Sequence, residues 1–303
     1  MKKVLVIGST VADIIINVDY LPTTAQDIHI KSQTMALGGC AYNVSDMIRH
    51  FNIPYTLFSP VGTGLYGDFV RNQLAAKGLA SPMPTPDQNN GCCYCFVEES
   101  GERTFIVEHG AEYLFYKEWF DHLKIEKISG VYICGLEIED KTGDTIVEFL
   151  EAHPKLPVYF GPGPRLNRID GELMSRIFAL HPMVHLNEDE ICRYTQCDSI
   201  ENAAKALYRK TENTVIVTNG ANGAFFFDGE DFIHVPPVPA VKVVDTIGAG
   251  DAHMGAVIAC LEKGMSLYDS IAKANAASSL IVARKGGTIS DEDFVQEGLL
   301  DFE

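Results

Sequence analysis

The heptapeptide Asp245-Thr246-Ile247-Gly248-Ala249-Gly250-Asp251, followed by an apolar run rich in Ala and Gly, constrains this chain most. The pattern predicts a tight turn that opens a helix, because glycine lacks a Cβ and lets the backbone bend and approach an anion closely. The first N–H groups of a helix have no partner within it, and the helix dipole favours negative charge there. Asp251 is placed to accept a proton beside such an anion. The simpler alternative is an ordinary Gly-containing loop with Asp251 as a helix cap.

The amino-acid composition limits the kinds of molecule that this protein is expected to bind. The net charge of −17 (24 basic against 41 acidic residues) argues against nucleic acid or an anionic membrane as a partner. No apolar stretch has transmembrane length. The eight cysteines are scattered, which predicts free thiols in a reducing cytoplasm. Cys92-Cys93-Tyr94-Cys95 has a C-x-x-C spacing, but we interpret this run as a strand because nothing completes a zinc site.

Short apolar runs alternate with helical patterns along most of the chain. This alternation predicts a mainly parallel sheet that is covered by helices on both faces. The predicted strands span residues 4–7, 56–61, 130–134, 157–160, 183–186 and 214–218, with a late hairpin at 225–227 and 232–235 and long helices at 251–263 and 266–284.

Four extended segments early in the chain do not fit that rhythm. They span residues 14–20, 27–35, 92–98 and 103–108, the last two joined by a turn at 99–101. We expect them to form a small antiparallel sheet that projects from the main body and covers a cleft. The chain is then a single domain, residues 1–303, whose lid is formed by about 12–36 and 91–109.

A literal G-x-G-x-x-G offers a competing function. Gly62, Gly64 and Gly67 follow a predicted strand and precede a helix, as in a dinucleotide-binding turn. This would indicate a dinucleotide-dependent oxidoreductase. However, the turn is not the first strand-to-helix turn of the chain, and Asp87 lies in a Pro-rich loop rather than at the end of a second strand.

The heptapeptide resembles the motif Asp-Thr-x-Gly-Ala-Gly-Asp of the PfkB/ribokinase family of carbohydrate and nucleoside kinases. Further matches to family motifs run in order from Asp13 to Gly287. The resemblance implies an α/β fold, a ribokinase-like three-layer sandwich with a mainly parallel central sheet and a small β-sheet lid. It also implies ATP-dependent transfer of the γ-phosphoryl group to a hydroxyl of a sugar or sugar-like molecule. The alternatives are a nucleoside kinase of the pseudouridine or adenosine type and a non-catalytic ligand-binding regulator, although the retained Asp251 argues against a pure binder.

The resemblance also implies roles for individual residues. Asp251 is the catalytic base, and the amides of Gly248, Ala249 and Gly250 stabilise charge on the transferring group. The expected substrate contacts are Asp13, Gly38, Gly39, Asn43 and Glu137, to which we add Arg103, which either meets an acidic substrate or lies on the lid surface. The expected contacts to ATP and Mg²⁺ are Asn187, Glu190, Thr218, Gly220, Gly223 and Asn275.

Two finer expectations come from the same family. Many members bind K⁺ through backbone carbonyls, which here correspond to Asp245, Ile247, Val282, Lys285 and Gly287. The chain is also expected to form a homodimer through the lid. Since phosphoryl transfer passes through a loose transition state, an Asp251 of ordinary pKa, about 4, is expected to suffice.

The chain departs from the family pattern at three places. His253 stands where the family usually has Phe, just after the expected base. Gly161 and Gly163 replace two polar residues of a stretch often written Asp-x-Asn-x-Arg. Gly64 replaces the usual Asp of a Gly-rich turn. We therefore expect the contacts near the phosphates or the substrate to differ from those of other members.

Overall fold

The computed structural model describes residues 2–100, 102–296 and 298–299 of the 303. Gly101, in the predicted lid turn, lies outside the described residues. The strands are β1 Lys3–Ile7, β2 Val11–Asn17, β3 Ser32–Gly38, β4 Tyr55–Phe58, β5 Cys92–Val97, β6 Arg103–Glu108, β7 Ile128–Cys134, β8 Val158–Gly161, β9 Met183–Asn187, β10 Val215–Thr218, β11 Ala224–Phe227 and β12 Phe232–Val235. The α-helices are α1 Cys40–His50, α2 Gly64–Ala76, α3 Lys117–Phe120, α4 Gly135–Glu139, α5 Gly143–Glu151, α6 Gly171–Phe178, α7 Glu188–Thr195, α8 Ile200–Thr211, α9 Ala249–Glu262, α10 Leu267–Val282 and α11 Asp291–Gln296.

The main sheet has eight strands in the order β12-β11-β10-β9-β8-β7-β1-β4. The pairs from β4 through β10 are parallel, and only the β11 and β12 pairings are antiparallel. The mainly parallel sheet predicted from the strand–helix alternation is therefore confirmed.

Both faces of this sheet are buried, as a parallel sheet requires. In β1, Val4 and Val6 pack into one apolar cluster, while Leu5 and Ile7 pack into another on the opposite face. Successive side chains of a strand point to opposite faces, so an unbroken apolar run supplies both layers at once. Helices α1, α9 and α10 cover the first face, and α5, α6 and α8 cover the second.

A separate four-stranded sheet has the order β3-β2-β5-β6 and corresponds to the predicted lid. It differs from the prediction in one pairing: β2 and β5 run parallel, because the chain crosses the main body through α1, β4 and α2 between them. The first two strands also begin elsewhere than predicted, at Val11 and Ser32. Pairing to β5 starts at Ala12, which brings the polar Asp13 inside a strand.

One buried carboxylate holds both ends of the β5–β6 hairpin. Glu112 accepts hydrogen bonds from the N–H of Gly91, at 2.8 Å, and of Gly110, at 3.0 Å. Gly91 precedes β5 and Gly110 follows β6, and a Cβ on either glycine would collide with neighbouring backbone. The points where this hairpin leaves and rejoins the body are therefore fixed. In the described part of the chain, no helix combines the length and the apolarity needed to span a membrane.

Candidate active site

The turn of the heptapeptide requires glycine at position 248. Gly248 has a left-handed backbone, φ 71°, and is the N-cap of α9. A Cβ there would lie 2.5 Å from the Cα of Gly287, so the two loops pack backbone against backbone. Helix α9 begins at Ala249, two residues earlier than predicted, which puts Asp251 in its first turn.

Two of the three expected amides are available to an anion. Within the described residues, the N–H groups of Gly248 and Gly250 have no hydrogen-bond acceptor. The structure differs from the expectation at Ala249, whose N–H donates to the carbonyl of Thr246 at 3.3 Å. This bond closes the turn, so the anion hole relies on the two glycine amides.

A cleft of about 280 Å³ opens in front of Asp251. It is lined by Gly248, Gly250, Asp251 and Glu190, and on its far side by Gly161 and Gly163. The two glycines that replace polar residues of the family pattern thus face this cleft, and neither offers it a polar side chain.

Asp251 is tied to the start of α1. The Nδ2 of Asn43 donates a hydrogen bond of 2.9 Å to the Oδ2 of Asp251. Asn43 lies in the first turn of α1, and Gly39 is the N-cap of that helix with φ 102°. A Cβ on Gly39 would lie 2.5 Å from the carbonyl oxygen of Ser9, which explains why glycine is needed there.

Asp13 lies on strand β2 of the four-stranded sheet, near Asp251. It pairs with Ala36 across β2 and β3, and a Cβ on Gly38 would collide with its carboxylate. Asp251 acts electrostatically on Asp13, so the two acids are near neighbours. The structure therefore brings together Asp13, Gly38, Gly39, Asn43 and Asp251, five residues that the sequence placed in one site.

The two acids have unusual pKa values. Burial raises the pKa of Asp251 to about 7; the Asn43 hydrogen bond opposes this rise, and the charges of Glu137 and Glu190 add to it. Burial, together with the charge of Asp251, also raises the pKa of Asp13 to about 7. The pKa of Asp251 is therefore above the ordinary value of about 4 that was expected to suffice, and the sequence does not show how much water the fold removes from the carboxylate.

Glu137 does not line the cleft. It is fully buried, and its Oε1 accepts a 2.7 Å hydrogen bond from the N–H of Ser9. Its Oε2 has no hydrogen-bond partner among the described residues, and burial raises its pKa. Glu137 therefore supports the loop after β1 through the N–H of Ser9.

Arg103 meets an acid of the protein instead of an open substrate site. Its guanidinium forms an ion pair with Asp245, the first residue of the heptapeptide, and both side chains are largely buried. Asp245 also accepts hydrogen bonds from the N–H of Ile247, at 2.8 Å, and of Gly286, at 2.9 Å. Arg103 is therefore not a free surface residue, since it joins the lid to the main body.

A second cavity, of about 430 Å³, adjoins the cleft. Thr218, Gly220, Gly223 and Asn275 line it, as expected for a nucleotide site. Thr218 and Gly250 line both cavities, so the two spaces meet beside the heptapeptide. The combined space has the size of a typical cofactor site.

Asn275 lines this cavity, but its polar atoms are engaged within the protein. Its Nδ2 donates to the carbonyls of Val235, at 3.2 Å, and Pro236, at 2.8 Å, and its Oδ1 lies 3.2 Å from the Nε2 of His253. The Nδ1 of His253 lies 2.9 Å from the Nε2 of His185. Since the Asn275 oxygen can only accept, His253 donates from Nε2 and accepts from His185. Asn275 thus anchors the chain after β12 instead of offering free polar atoms to a base.

The buried hydrogen bonds that join His185, His253 and Asn275 give a role to His253, which stands where the family usually has Phe. They also include His185, a residue that the sequence analysis missed. Burial lowers the pKa of His253 to about 4 and holds the pKa of His185 well below its usual value, so both rings are neutral. His253 was visible as an exception to the family pattern. His185 lies in an apolar strand segment, and no pattern in the sequence joins it to position 253.

The expected metal-binding residues differ in how well they fit. Asn187 and Glu190 form a capping box at the start of α7, in which the Oε2 of Glu190 accepts from the Asn187 N–H at 3.0 Å. The other oxygen of Glu190 remains for the cleft. No group of three acidic, His or Cys side chains in the described chain makes a metal cage. This donor set fits Mg²⁺, which usually takes one or two carboxylates, retained waters and substrate phosphates.

The expected K⁺ ligands lie on the heptapeptide, at the end of α10 and on the loop that follows α10, and Asp245 joins these segments through the amides of Ile247 and Gly286. The carbonyl of Val282, however, already accepts hydrogen bonds from Val244, at 2.7 Å, and Asp245, at 3.1 Å. A carbonyl has two lone pairs, so Val282 is the weakest member of the expected set.

The G-x-G-x-x-G turn is filled by the protein itself. A Cβ on Gly62 would collide with Gln88, and one on Gly67 would collide with the Gly62 carbonyl. The N–H of Gly62 donates to the side chain of Asn90 at 2.9 Å. This turn therefore supports the chain that enters the lid, and it leaves no room for a pyrophosphate.

Comparison with known proteins agrees with this geometry. The family described as pfkB family carbohydrate kinase matches residues 1–293. The chain is 34% identical over 290 residues to the uncharacterized sugar kinase YegV of Escherichia coli K12, covering 94% of this chain and 90% of that protein. It is 26% identical over 301 residues to a ribokinase of Arabidopsis thaliana, covering 95% of this chain and 78% of the relative.

Solved structures share the fold at lower identity. A ribokinase of Thermotoga maritima superposes with a TM-score of 0.83 at 20% identity, over 98% of this chain and 99% of the other. A Burkholderia thailandensis nucleoside kinase in complex with inosine gives 0.77 at 18%, over 97% of each chain. An Arabidopsis thaliana ribokinase complexed with ribose and ATP gives 0.75 at 21%, over 100% of this chain and 99% of the other.

Proposed function

The chain belongs to the pfkB family of carbohydrate kinases, and we propose that it transfers the γ-phosphoryl group of ATP to a hydroxyl of a sugar or sugar-like molecule such as a nucleoside. One observation carries the proposal. Asp251, to which Asn43 donates a hydrogen bond, and the free amides of Gly248 and Gly250 face one cleft, and this cleft meets the nucleotide-sized cavity at Thr218 and Gly250.

Each residue of the site has a separate role in the proposed phosphoryl transfer. Asp13 and Asn43 hold the acceptor, since a carboxylate accepts bonds from neighbouring hydroxyls and an amide both donates and accepts. Asp251 takes the proton of the attacking hydroxyl. The amides of Gly248 and Gly250 stabilise charge on the transferring group at the N-terminus of α9. Most of the rate acceleration then comes from positioning and electrostatics, because the transition state is loose.

ATP and Mg²⁺ belong to this proposal. An ATP-bound and Mg²⁺-bound ribokinase II of E. coli shares the fold, with a TM-score of 0.76 at 22% identity. Thr218, Gly220 and Gly223 would hold the nucleotide in the 430 Å³ cavity. Glu190 would orient the Mg²⁺ waters, and the metal, when bound, neutralises charge on the phosphates. K⁺ beside the Asp245 and Gly287 loops is part of the same proposal.

We propose that the whole chain is one domain and that the four-stranded sheet is its lid. Closure of the lid would exclude water from the transferring group and limit ATP hydrolysis. Pairing of two copies through the lid is supported by strand β6, an open edge that exposes Phe105, Ile106 and Val107. Size-exclusion chromatography with light scattering measures this directly. The eight free thiols support a cytoplasmic location.

The decisive experiment measures ADP release over a panel of sugars, sugar phosphates, sugar acids and nucleosides, with Mg²⁺ and K⁺ present. Transfer to at least one hydroxyl, abolished in Asp251→Asn, supports the proposal. Reduction of NAD⁺ or NADP⁺ without ADP release would support an oxidoreductase instead. ATP binding without transfer to any member of the panel would favour a non-catalytic regulator.

A further inference from the structure

A buried tyrosine reaches the cleft that Asp251 lines. Tyr132 lies on β7, and its ring packs into the apolar cluster that α1 and α9 cover. The side chain is only 2% exposed, yet it lines the cleft of about 280 Å³ together with Gly248, Gly250 and Asp251. Because the ring is enclosed by the core, the part of Tyr132 that reaches the cleft is its hydroxyl end.

The hydroxyl lies where this chain has a glycine in place of a polar residue of the family pattern. A Cβ on Gly161, the last residue of β8, would lie 3.0 Å from the Oη of Tyr132. A side chain at position 161 would therefore meet the phenol. Since Gly161 also lines the cleft, Tyr132 brings a polar atom to the part of the wall where Gly161 offers none.

Within the part of the chain that the structure describes, this hydroxyl has no hydrogen-bond partner. Buried tyrosine hydroxyls usually have one, and a buried polar group without a partner costs stability. Burial above all, and then the nearby Cys134 and Asp251, raise the pKa of the Tyr132 phenol well above its usual value. The hydroxyl therefore keeps its proton and is a neutral donor available to a ligand in the cleft.

An anion in this cleft depends on neutral donors. Among the described residues, no Lys or Arg lines the cleft, whereas Asp251 and Glu190 both do. Donors that point at a developing negative charge stabilise it strongly in a site that excludes water. Gly248 and Gly250 offer two such donors through their backbone N–H groups. The hydroxyl of Tyr132 adds a third, from a different strand of the main sheet.

The position of Tyr132 favours the reacting end of the nucleotide. The larger cavity, in which we place the nucleotide, is lined by Thr218, Gly220 and Gly223 but not by Tyr132. The cleft that Tyr132 does line contains Asp251, which also acts electrostatically on the phenol. A ligand atom that meets this hydroxyl therefore lies beside the proposed base and not at the far end of the nucleotide.

We propose that Tyr132 is a further catalytic residue, whose hydroxyl donates a hydrogen bond to an oxygen of the γ-phosphoryl group of bound ATP and keeps it during transfer. The acceptor oxygen bonds to the γ-phosphorus as the bond to the ADP oxygen breaks, and the acceptor proton goes to Asp251. Tyr132 keeps its own proton throughout and stabilises negative charge on the transferring group. The inference rests on the kinase function proposed above.

Tyr132→Phe removes the hydroxyl and keeps the ring. We expect kcat/KM for ATP to fall about 10- to 100-fold, the effect of one hydrogen bond to a charged group, and the KM for the acceptor to stay unchanged. The melting temperature should not fall, because the hydroxyl has no partner to lose within the described chain. Steady-state kinetics with the best acceptor of the panel and thermal melting measure these effects.

Nucleotide binding tests the contact without turnover. Calorimetric titration compares ADP with AMP-PNP, a non-hydrolysable ATP analogue that carries a γ-phosphoryl group, each with Mg²⁺. Tyr132→Phe should weaken AMP-PNP binding at least about fivefold and leave ADP binding unchanged. Equal weakening of both nucleotides would indicate a structural role, and unchanged binding of both would show that no bond to the γ-phosphoryl group exists. Either result would overturn the inference.

Tyr159 offers a matched control on the neighbouring strand. It pairs with Tyr132 across β7 and β8, but its ring lies against Gly130, and it does not line the cleft. Tyr159→Phe should therefore change neither kcat/KM for ATP nor the affinity for AMP-PNP. Similar losses in the two variants would contradict a specific contact of the Tyr132 hydroxyl.

Gly161→Ala tests where the hydroxyl lies. The added Cβ would press on the Tyr132 Oη, so kcat/KM for ATP should fall in the parent protein and fall no further in Tyr132→Phe. Equal falls in both backgrounds would contradict the assigned position. If the parent is active and Tyr132→Phe matches it, the inference fails and the kinase function stands. A parent that transfers to no acceptor of the panel would remove both.

Discussion

Asn43 donates its amide N–H to the Oδ2 of Asp251 at 2.9 Å, which joins the first turns of α1 and α9 at one point in the cleft. The bond favours the ionised carboxylate, while burial favours the protonated form more strongly. The reactivity of the proposed base is thus set by two opposed effects that mutation can separate.

Replacement of Asp251 by Asn should lower kcat by about 10²–10⁴-fold, the usual contribution of general base catalysis. ATP affinity should be unchanged, because the nucleotide cavity does not use this carboxylate as a wall. Steady-state kinetics and calorimetric titration with ATP check both parts. Unchanged turnover would reject the assigned base.

The pH dependence of kcat/KM should follow the raised pKa values. Burial raises the pKa of Asp251 and that of Asp13 to about 7, so activity should rise with pH through about 7 rather than about 4. Asn43→Ala removes a bond that lowers the pKa of Asp251, so it should move the midpoint to higher pH. A profile that is flat from pH 5 to 8 would contradict the raised values.

Stability should change with pH in the opposite sense. A carboxyl whose pKa is raised from 3.8 to about 7 on folding stabilises the folded protein fully below pH 3.8, and that stability is lost as pH rises through 7. Asp251→Asn should therefore raise the melting temperature at pH 8 relative to the parent. At pH 4 the two proteins should melt alike, which serves as the control.

His253→Phe introduces the residue usual in the family and should destabilise this protein. It leaves the Asn275 oxygen and the His185 Nε2 buried without their partner, at a cost of about 1–3 kcal/mol. Because Asn275 anchors the chain beside the nucleotide cavity, the KM for ATP should rise more than kcat falls. Denaturant unfolding and kinetics measure the two effects, with the exposed His122→Phe as the matched control.

The buried His253 also predicts that the folded protein loses stability at acid pH. The pKa of His253 falls from 6.5 to about 4 on folding, so its contribution to stability is complete above pH 6.5 and is lost as pH falls towards 4. In His253→Phe, the loss of stability that protonation of His253 causes should be absent. Urea unfolding midpoints of the parent protein and of His253→Phe, measured between pH 4 and 7, show whether the difference in stability between the two proteins shrinks as the pH falls.

The Arg103–Asp245 pair should hold the lid against the body. Arg103→Ala leaves Asp245 with its two amide donors but without its cation, at a cost of about 1.5–3 kcal/mol. The more exposed pair of Arg176 and Glu151 offers a control, for which Arg176→Ala should change stability by less than about 1 kcal/mol. The ratio of ATP hydrolysis to transfer should rise only in Arg103→Ala, since an open lid admits water.

Local patterns were sufficient for the main fold and for the glycine turn of the heptapeptide. The alternation of apolar runs predicts the parallel sheet, and the glycines of the heptapeptide predict a turn whose close packing against Gly287 the structure then shows. Those local patterns could not predict contacts between residues that are far apart in the sequence. Arg103 and Asp245 are 142 positions apart, and nothing near either residue indicates the other. The parallel pairing of β2 and β5 and the pKa of Asp251 likewise arise from tertiary packing.

Glu112 gives the β5–β6 hairpin a single buried socket, formed with Gly91 and Gly110. The residues between those glycines can therefore be exchanged together, provided that the insert keeps Arg103, which pairs with Asp245 of the main body. New acceptor preferences could be grafted into this enzyme by transplanting a hairpin between two glycines, with the catalytic turn left untouched.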